Sequence, residues 1–387
     1  MIKSSSGVTS MGVLQGVRIV EIAGIGPAPF CGMLLADMGA EVILVERSTI
    51  KPGDPLDLGD KTIVNRGKRS LALDLKDPRA IDAVLRLMDG ADGLIEGMRP
   101  GVMERLGLGP AQCFARNPQL VYGRMTGWGQ NGPLALAAGH DINYIALSGA
   151  LWYSGQPGEL PMAPPTLVGD LGGGALYLAM GMLAGILHAR SGGTGQVVDA
   201  AIVDGSANLM NLILSLHAGG LQPMERGRGM LDGSHWYNSY ICADGQYISL
   251  GALEPPFYAL LLDKLALQGD AEFQRQYDGA TWAELRGRLA GIFASQPRAH
   301  WVALLEGTDA CFAPVLTPRQ AASHPHMAAR GTYMESDGLF QAMPAPRFSG
   351  DACNLPGRVP KRGQHSAEVL RQAGLSAAEI GQLVAAG

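Results

Sequence analysis

The sequence predicts an α/β chain: a doubly wound domain around a parallel sheet, followed by a smaller α+β unit. Three observations carry this. Val17 to Ile22 (VRIVEI), Phe30 to Met38 (FCGMLLADM) and Glu41 to Val45 (EVILV) read as strand, helix and strand. Such a unit places its two strands parallel. Short β-branched runs then keep alternating with helical spacing, and a different pattern of hairpin and helices begins near residue 236.

Each element has its own signal. Ile25-Gly26-Pro27-Ala28-Pro29 is a turn, and Gly39 closes the first helix. Ser70 to Leu75 reads as a strand. Asp77 to Met88 reads as a helix with Pro78 in its first turn, where a missing N–H costs nothing. Asp92 to Glu96 and Leu120 to Met125 are further strands. Leu176 to Arg190 has the period of a helix, Gln196 to Ala200 of a strand, and Ile202 to Leu216 of one long helix. Gly219 to Ser234 is polar and glycine-rich, so a linker or mobile loop is expected there. Tyr240 to Leu250 reads as a hairpin, with Asp244-Gly245 as a type I′ turn signal. Helices follow at Pro256 to Leu265, Trp282 to Ala294 and Arg298 to Glu306. Pro344 to Pro360 is extended and proline-rich, and Ser366 to Ala373 is a short helix. The expected domains are therefore 11–215, a linker 216–235, a small domain 236–325, and a segment 326–387 that returns to the large domain.

Composition narrows the class. The 387 residues carry a net charge of −5, with 47% hydrophobic and 17% charged residues. This is an ordinary globular balance with no electrostatic footprint for nucleic acid. Five scattered cysteines without C-x-x-C spacing support neither a metal site nor a redox pair, and fit reduced thiols in a cytoplasmic protein. The first ten residues lack the apolar core of a signal peptide and read as an extension. Apolar runs fall short of the roughly 18 residues that span a bilayer, so no membrane partner is expected. Gly24-Ile25-Gly26-Pro27-Ala28-Pro29 resembles a dinucleotide fingerprint with Glu46 about twenty residues on. Pro29 replaces the third glycine, however, and both prolines remove amides that a pyrophosphate uses, so a turn serving only the backbone is preferred.

Two short segments carry the chemistry: Gly139-His140-Asp141-Ile142-Asn143-Tyr144 and Gly169-Asp170-Leu171-Gly172-Gly173-Gly174. An imidazole and a carboxylate can act as general acid and base on one substrate. Each also has a structural alternative: a histidine after glycine is often only packed, and an aspartate before a glycine run is often a helix N-cap. The amides of Gly172 and Gly173 are candidates to stabilise an enolate oxygen.

Several ordered motifs resemble the family III CoA-transferases of the CaiB/BaiF type. They are Leu14 to Glu21 (LQGVRIVE), Leu34 to Val42 (LLADMGAEV) with Glu46-Arg47, Asn65 to Ser70 (NRGKRS), Arg99-Pro100-Gly101-Val102, and Gly195 to Asp199 (GQVVD). The His140 segment narrows the resemblance to the racemase branch. The resemblance runs from Leu14 to about Phe348 and implies a Rossmann-like large domain, a small domain and an interlocked homodimer. It implies a cofactor-free racemase or epimerase acting on 2-methylacyl-CoA thioesters, CoA being part of the substrate. His140 and Asp170 would work on opposite faces of the α-carbon, with Glu254 orienting the imidazole and Asn143, Tyr144, Gly172 and Gly173 lining the substrate. Imidazole and carboxyl titrate ordinarily near about 6.5 and about 3.9, so the site must draw them together. Arg47, Arg66, Lys68, Arg69, Arg99 and Arg105 are the expected CoA contacts, Arg47, Arg99 and Arg105 matching best, with solvated surface charge as the plain alternative. Met182, Met210 and Met230 are candidates for an adaptable acyl pocket, with core filling as the alternative. The other reading is acyl transfer, in which Asp170 is a nucleophile and His140 is not required.

Overall fold

A computed structural model describes residues 12–49, 58–349 and 355–385. The leading segment and Cys353 lie outside them. The chain divides into two compact units: 1–148, 164–208 and 331–387 form the first, and 149–163 with 209–330 the second.

In the first unit, β1 (Arg18–Ile22), α1 (Pro27–Asp37), β2 (Glu41–Arg47), β3 (Arg69–Leu73), α2 (Pro78–Met88), β4 (Gly93–Glu96), α3 (Val102–Arg105), α4 (Pro110–Arg116), β5 (Val121–Thr126), α5 (Asp141–Ser148), a π-helix (Leu167–Ala175), α6 (Leu176–Arg190), β6 (Val197–Ala201) and α7 (Ile202–Leu209) follow in order. The sheet order is β3-β2-β1-β4-β5-β6, all parallel. The chain therefore reverses direction across the sheet between β1 and β4. In open parallel sheets that switch point, at the C-terminal strand ends, is where ligands bind. Strands such as β2 (EVILVER) are buried on both faces because helices cover both, which is why they read as continuous apolar runs.

The second unit holds α8 (Asn211–Ala218), β7 (Tyr237–Ile241), β8 (Tyr247–Gly251), α9 (Pro255–Lys264), α10 (Trp282–Phe293), α11 (Arg298–Leu305), β9 (Phe312–Pro314), α12 (Pro318–Ser323) and α13 (Pro325–Ala329). An antiparallel sheet, β7-β8-β9, packs around Trp236, Phe273, Leu285 and Phe293. The first unit resumes with the hairpin β10 (Tyr333–Ser336) and β11 (Leu339–Ala342), then α14 (Ser366–Gln372) and α15 (Ala377–Ala385).

Four expectations need correction. The domain boundaries move, because 149–163 and 209–235 pack with the second unit and the return begins at Gly331. The glycine-rich stretch expected as a loose linker is tied internally: Asp232 accepts from the Gly227 N–H (2.6 Å), the Gly229 N–H (3.0 Å) and Gln222 Nε2 (2.8 Å). The long helix from Ile202 is two, interrupted at Met210. At the hairpin, a type I′ turn needs two successive positive φ values. Gly245 alone has one (73°), and its N–H closes the turn on Cys242 O at 2.9 Å. Residues 167–190 also form a helical stretch long and apolar enough to cross a membrane by length and composition, which sequence reading did not find. Leu178, Met182 and Ile186 from its α6 portion are buried in the core beside Val121 of β5.

One buried feature sets α1 in place. Glu21 of β1 and Lys68 are both 0% exposed and meet at 2.7 Å. Lys68 Nζ also donates to Pro29 O (2.9 Å) and Asn65 Oδ1 (3.3 Å). Gly32 of α1 makes room for this pair, since a Cβ there would stand 1.8 Å from Glu21 Oε2. Gly32→Ala should therefore destabilise the fold by roughly 1–3 kcal/mol, despite alanine's better helix propensity. Chemical denaturation checks this; a stabilised variant would show that the pair relaxes freely.

Candidate active site

The two candidate residues stand in the first unit, close to the switch point. Gly26, at the N-cap of α1 in the turn after β1, has φ 71°, and an added Cβ would lie 3.4 Å from Asp170 Oδ2. The positive φ favours glycine here, and the Asp170 carboxylate lies in contact range of the head of α1.

Asp170 lies in the first turn of the π-helix, which follows Thr166, itself at φ 61°. Leu171 N–H bonds back to Thr166 O at 3.1 Å. π-helical turns are rare and recur at functional sites. They widen the helix and set a side chain at an angle that an α-turn does not reach. The capping alternative for Asp170 is not what forms, because the residue before α6 is Ala175. The expectation of free amides at Gly172 and Gly173 is also corrected: these residues lie inside the π-helix, beyond the first turn whose amides lack an intrahelical acceptor. Gly173 is glycine for packing, since a Cβ would come within 2.5 Å of Ser206 Oγ on α7.

His140 is exposed and immediately precedes α5. Its N–H donates to Asn143 Oδ1 (3.0 Å), and its carbonyl accepts from the Asn143 N–H (2.8 Å). This is half of a capping box, so Asn143 shapes the turn that presents the imidazole. Tyr144 is buried, stacks edge-on against Trp128 at 4.7 Å between centroids, and donates its hydroxyl to Gly139 O. The substrate-lining reading of Asn143 and Tyr144 thus gives way to a supporting one.

Asp141, between His140 and the body of α5, received no role from the sequence. Its carboxylate accepts the Asp170 N–H at 2.7 Å. It also bears on the protonation of Asp170. Burial first and the Asp141 charge second push the Asp170 carboxyl up, His140 opposes them, and together they hold it at about 6. That value lies where imidazoles ordinarily titrate, so a carboxyl here can both release and return a proton near neutrality. The thirty residues between the two candidates are more than a loop and a helix, because 149–163 leaves to pack with the second unit.

The expected phosphate contacts divide sharply. Arg66 is buried and bonds Asp37 bidentately (3.1 and 2.6 Å), Gln341 Oε1 (2.9 Å) and Ala342 O (2.7 Å). Lys68 is committed to Glu21. Arg69 opens β3, at the sheet edge opposite the switch point, and pairs with Glu41 and Glu368. These three are structural cations, and the reading of them as ligand contacts is corrected. Arg47, Arg99 and Arg105 are exposed. Arg47 ends β2 and, with Lys76 and Arg362, lines a cavity of about 820 Å³ beside Ala23, Gly24, Ile25, Val45, Met98 and Val102. Arg362 donates to Arg47 O (2.9 Å) and pairs with Glu46 (3.1 Å). No sequence signal marked Arg362, which sits just past the proline-rich stretch, far along the chain. Arg99 follows β4 and its charge reaches Tyr144. Met182 is fully buried and abuts Gly93 and Gly123, so it fills the core. Met230 packs on the Trp236 cluster of the second unit, and Met210 marks the helix break. Glu254 is exposed at the N-cap of α9, where its charge adds to burial in raising the Cys311 thiol pKa. Among the described residues, no group of three or more His, Cys, Asp or Glu is arranged to hold a metal ion.

Known proteins show the same arrangement of chain. The model of CoA-transferase family III matches residues 14–366. The mouse protein called alpha-methylacyl-CoA racemase is 42% identical over 374 residues, 96% of each chain, and the human one is 41% identical over 376 residues, again 96% of each. Human succinyl-CoA:glutarate CoA-transferase is 28% identical, over 97% of this chain and 89% of its own. The crystal structure of a CAIB/BAIF family protein from Brucella suis superposes with a TM-score of 0.79 at 27% identity, covering 94% of this chain and 100% of its own. By full-length sequence match and by fold, this chain belongs to CoA-transferase family III.

Proposed function

We propose that this protein is an α-methylacyl-CoA racemase, interconverting the two epimers of 2-methylacyl-CoA thioesters by proton transfer at the α-carbon. The observation that carries the reading is the His140–Asp170 pair, with the Asp170 carboxyl drawn up to about 6. Inversion needs a base on one face and an acid on the other. One group removes the α-proton, the thioester carbonyl takes the charge as an enolate, and the other group delivers a proton to the opposite face. The roles exchange in the reverse direction, so neither group can be a strong acid only or a strong base only. A carboxyl held near 6 meets that demand where an ordinary one near about 3.9 does not.

CoA is substrate here. Arg47, Lys76 and Arg362 around the 820 Å³ cavity, with Arg99 and Arg105 next in sequence to its lining residues Met98 and Leu106, are the side chains for its phosphates. The cavity's size suits a nucleotide moiety. No step in this mechanism calls for a metal or a separate cofactor. Reduced thiols at Cys31, Cys113, Cys242 and Cys311 support a cytosolic setting. The exposed apolar stripe Leu176, Met180 and Leu187 on α6 supports association of two copies as a homodimer, interlocked as in the family resemblance. The family resemblance alone supports Glu254 as the group that orients the imidazole, and Glu254→Gln should then slow proton transfer by His140 more than by Asp170.

The decisive measurement is solvent isotope incorporation. In deuterated water the enzyme should place deuterium at the α-position of both epimers of a 2-methylacyl-CoA, and His140→Ala should lower this by about 10²–10⁴-fold. Absence of exchange, with an acyl-enzyme at Asp170 trapped by hydroxylamine, would replace this reading with acyl transfer.

A further inference from the structure

We propose that Asp141 is a positioning residue that couples the two halves of the proton-transfer pair, fixing where Asp170 stands relative to His140 and setting a second carboxylate beside it. The inference rests on the racemase reading.

The geometry is direct. Asp141 is only 8% exposed, and its Oδ1 takes the Asp170 N–H at 2.7 Å. Its backbone is joined to His140. One residue therefore spans both groups: a peptide bond on one side and a charge-assisted hydrogen bond on the other. Gly169 shows how closely the parts are fitted, since a Cβ there would stand 2.5 Å from Asp141 Oδ1 and 2.9 Å from the Ile145 side chain. The π-helix supplies the complementary half. By widening the turn at Asp170 it leaves that amide for Asp141. A contact of this kind is worth having where a displacement of about 1 Å costs about 10²-fold in rate.

Charge supplies the second part of the argument. The charged groups facing Asp170 are Asp141 and His140 at the head of α5. The Gly26 end of α1 brings none. On β5, Arg124 is spent on Glu96 (2.9 Å) and Glu104 (2.8 Å), and on β6, Asp199 accepts the Gln130 N–H (3.2 Å). Tyr144, on α5, is uncharged and directed to Gly139. A second carboxylate beside Asp170 disfavours its ionised form, which makes it the stronger base once ionised. The Asp141 carboxylate thus adds to burial in lifting Asp170.

Two substitutions separate position from charge. Asp141→Asn keeps an acceptor for the Asp170 N–H and removes the charge. The Asp170 titration, read as the difference in carboxyl 13C NMR between this variant and Asp141→Asn/Asp170→Asn, should move below about 6. Deuterium incorporation into the epimer that presents its α-proton to Asp170 should fall roughly tenfold relative to the other epimer, because a weaker base abstracts more slowly. Asp141→Ala should lower exchange into both epimers by about 10²-fold with KM little changed. An Asp141→Asn enzyme with the wild-type titration and the wild-type ratio of the two exchange rates overturns the inference. Failure of the racemase reading looks different: wild-type enzyme shows no exchange with either epimer, and the inference falls with it.

Discussion

Asp170→Asn should lose about 10²–10⁴-fold in exchange activity and at the same time become more stable than wild type above pH 6. The two effects have one origin. The Asp170 carboxyl is held at about 6 chiefly by burial, with the neighbouring Asp141 charge adding to it. In the unfolded chain a carboxyl titrates near about 3.9. Below about pH 4 it is protonated in both states and contributes no difference. As pH rises toward 6 the unfolded chain releases its proton first, and above 6 the folded protein holds an ionised carboxylate in a poorly solvated place. Wild-type stability is therefore lost as pH rises through about 6. Asparagine keeps the shape and removes that charge. Allowing for solvent screening of a half-buried group, the gain is about 1–2 kcal/mol, a few degrees in Tm. It should be fully present at pH 8 and vanish near pH 4. Thermal melts of the two proteins across that range, beside the exchange assay, test it. A variant no more stable than wild type at pH 8 would mean that the Asp170 charge is not desolvated.

How much of this was legible beforehand depended on whether a signal is local. The strand–helix–strand register at β1, α1 and β2 was readable because Val20, Ile22, Leu35, Val42 and Leu44 are buried by short-range periodicity. His140 and Asp170 were readable because both sit beside glycines in compact motifs. The roles of Arg66 and Lys68 were not. In sequence a basic run, Arg66-Gly67-Lys68-Arg69, looks like a phosphate clamp. What decides otherwise is Asp37 at the end of α1, Gln341 on β11 and Glu21 on β1, which are distant along the chain and reach the run only in the folded protein. The π-helix was hidden for a similar reason. Leu167 to Ala175 has the composition of an ordinary apolar helix start, and its wider turn reflects a tertiary fit to Asp141 and Ser206. The second unit's claim on 149–163 was equally non-local, resting on bonds such as Trp152 Nε1 to Met224 O (2.8 Å) and Gln156 Nε2 to Asn238 Oδ1 (2.9 Å).

Lys68→Met should be the most destabilising single change outside the apolar core, at about 3–5 kcal/mol. The buried pair stands because each charge answers the other: burial pushes the Glu21 carboxyl up and the Lys68 ammonium down, and their mutual attraction opposes both. Removing the ammonium leaves Glu21 fully buried with no counter-charge, so the carboxyl must take up a proton or the site must open. A proton is easier to acquire at low pH. The loss should accordingly be smaller at pH 5 than at pH 8, the sign expected of a carboxyl whose folded pKa is raised. Adding Glu21→Leu removes the stranded acid. The double variant should recover most of the stability, because an apolar pair of similar volume suits a dry site as well as an ion pair does. Activity should not recover with it. Lys68 also holds Pro29 O at 2.9 Å, and Pro29 belongs to the same first turn of α1 as Gly26, against which the Asp170 carboxylate rests. A double variant that is stable but slow would assign Lys68 to holding that turn in place. A double variant as active as wild type would show that the turn is kept by its prolines alone, and that the ion pair serves only the fold.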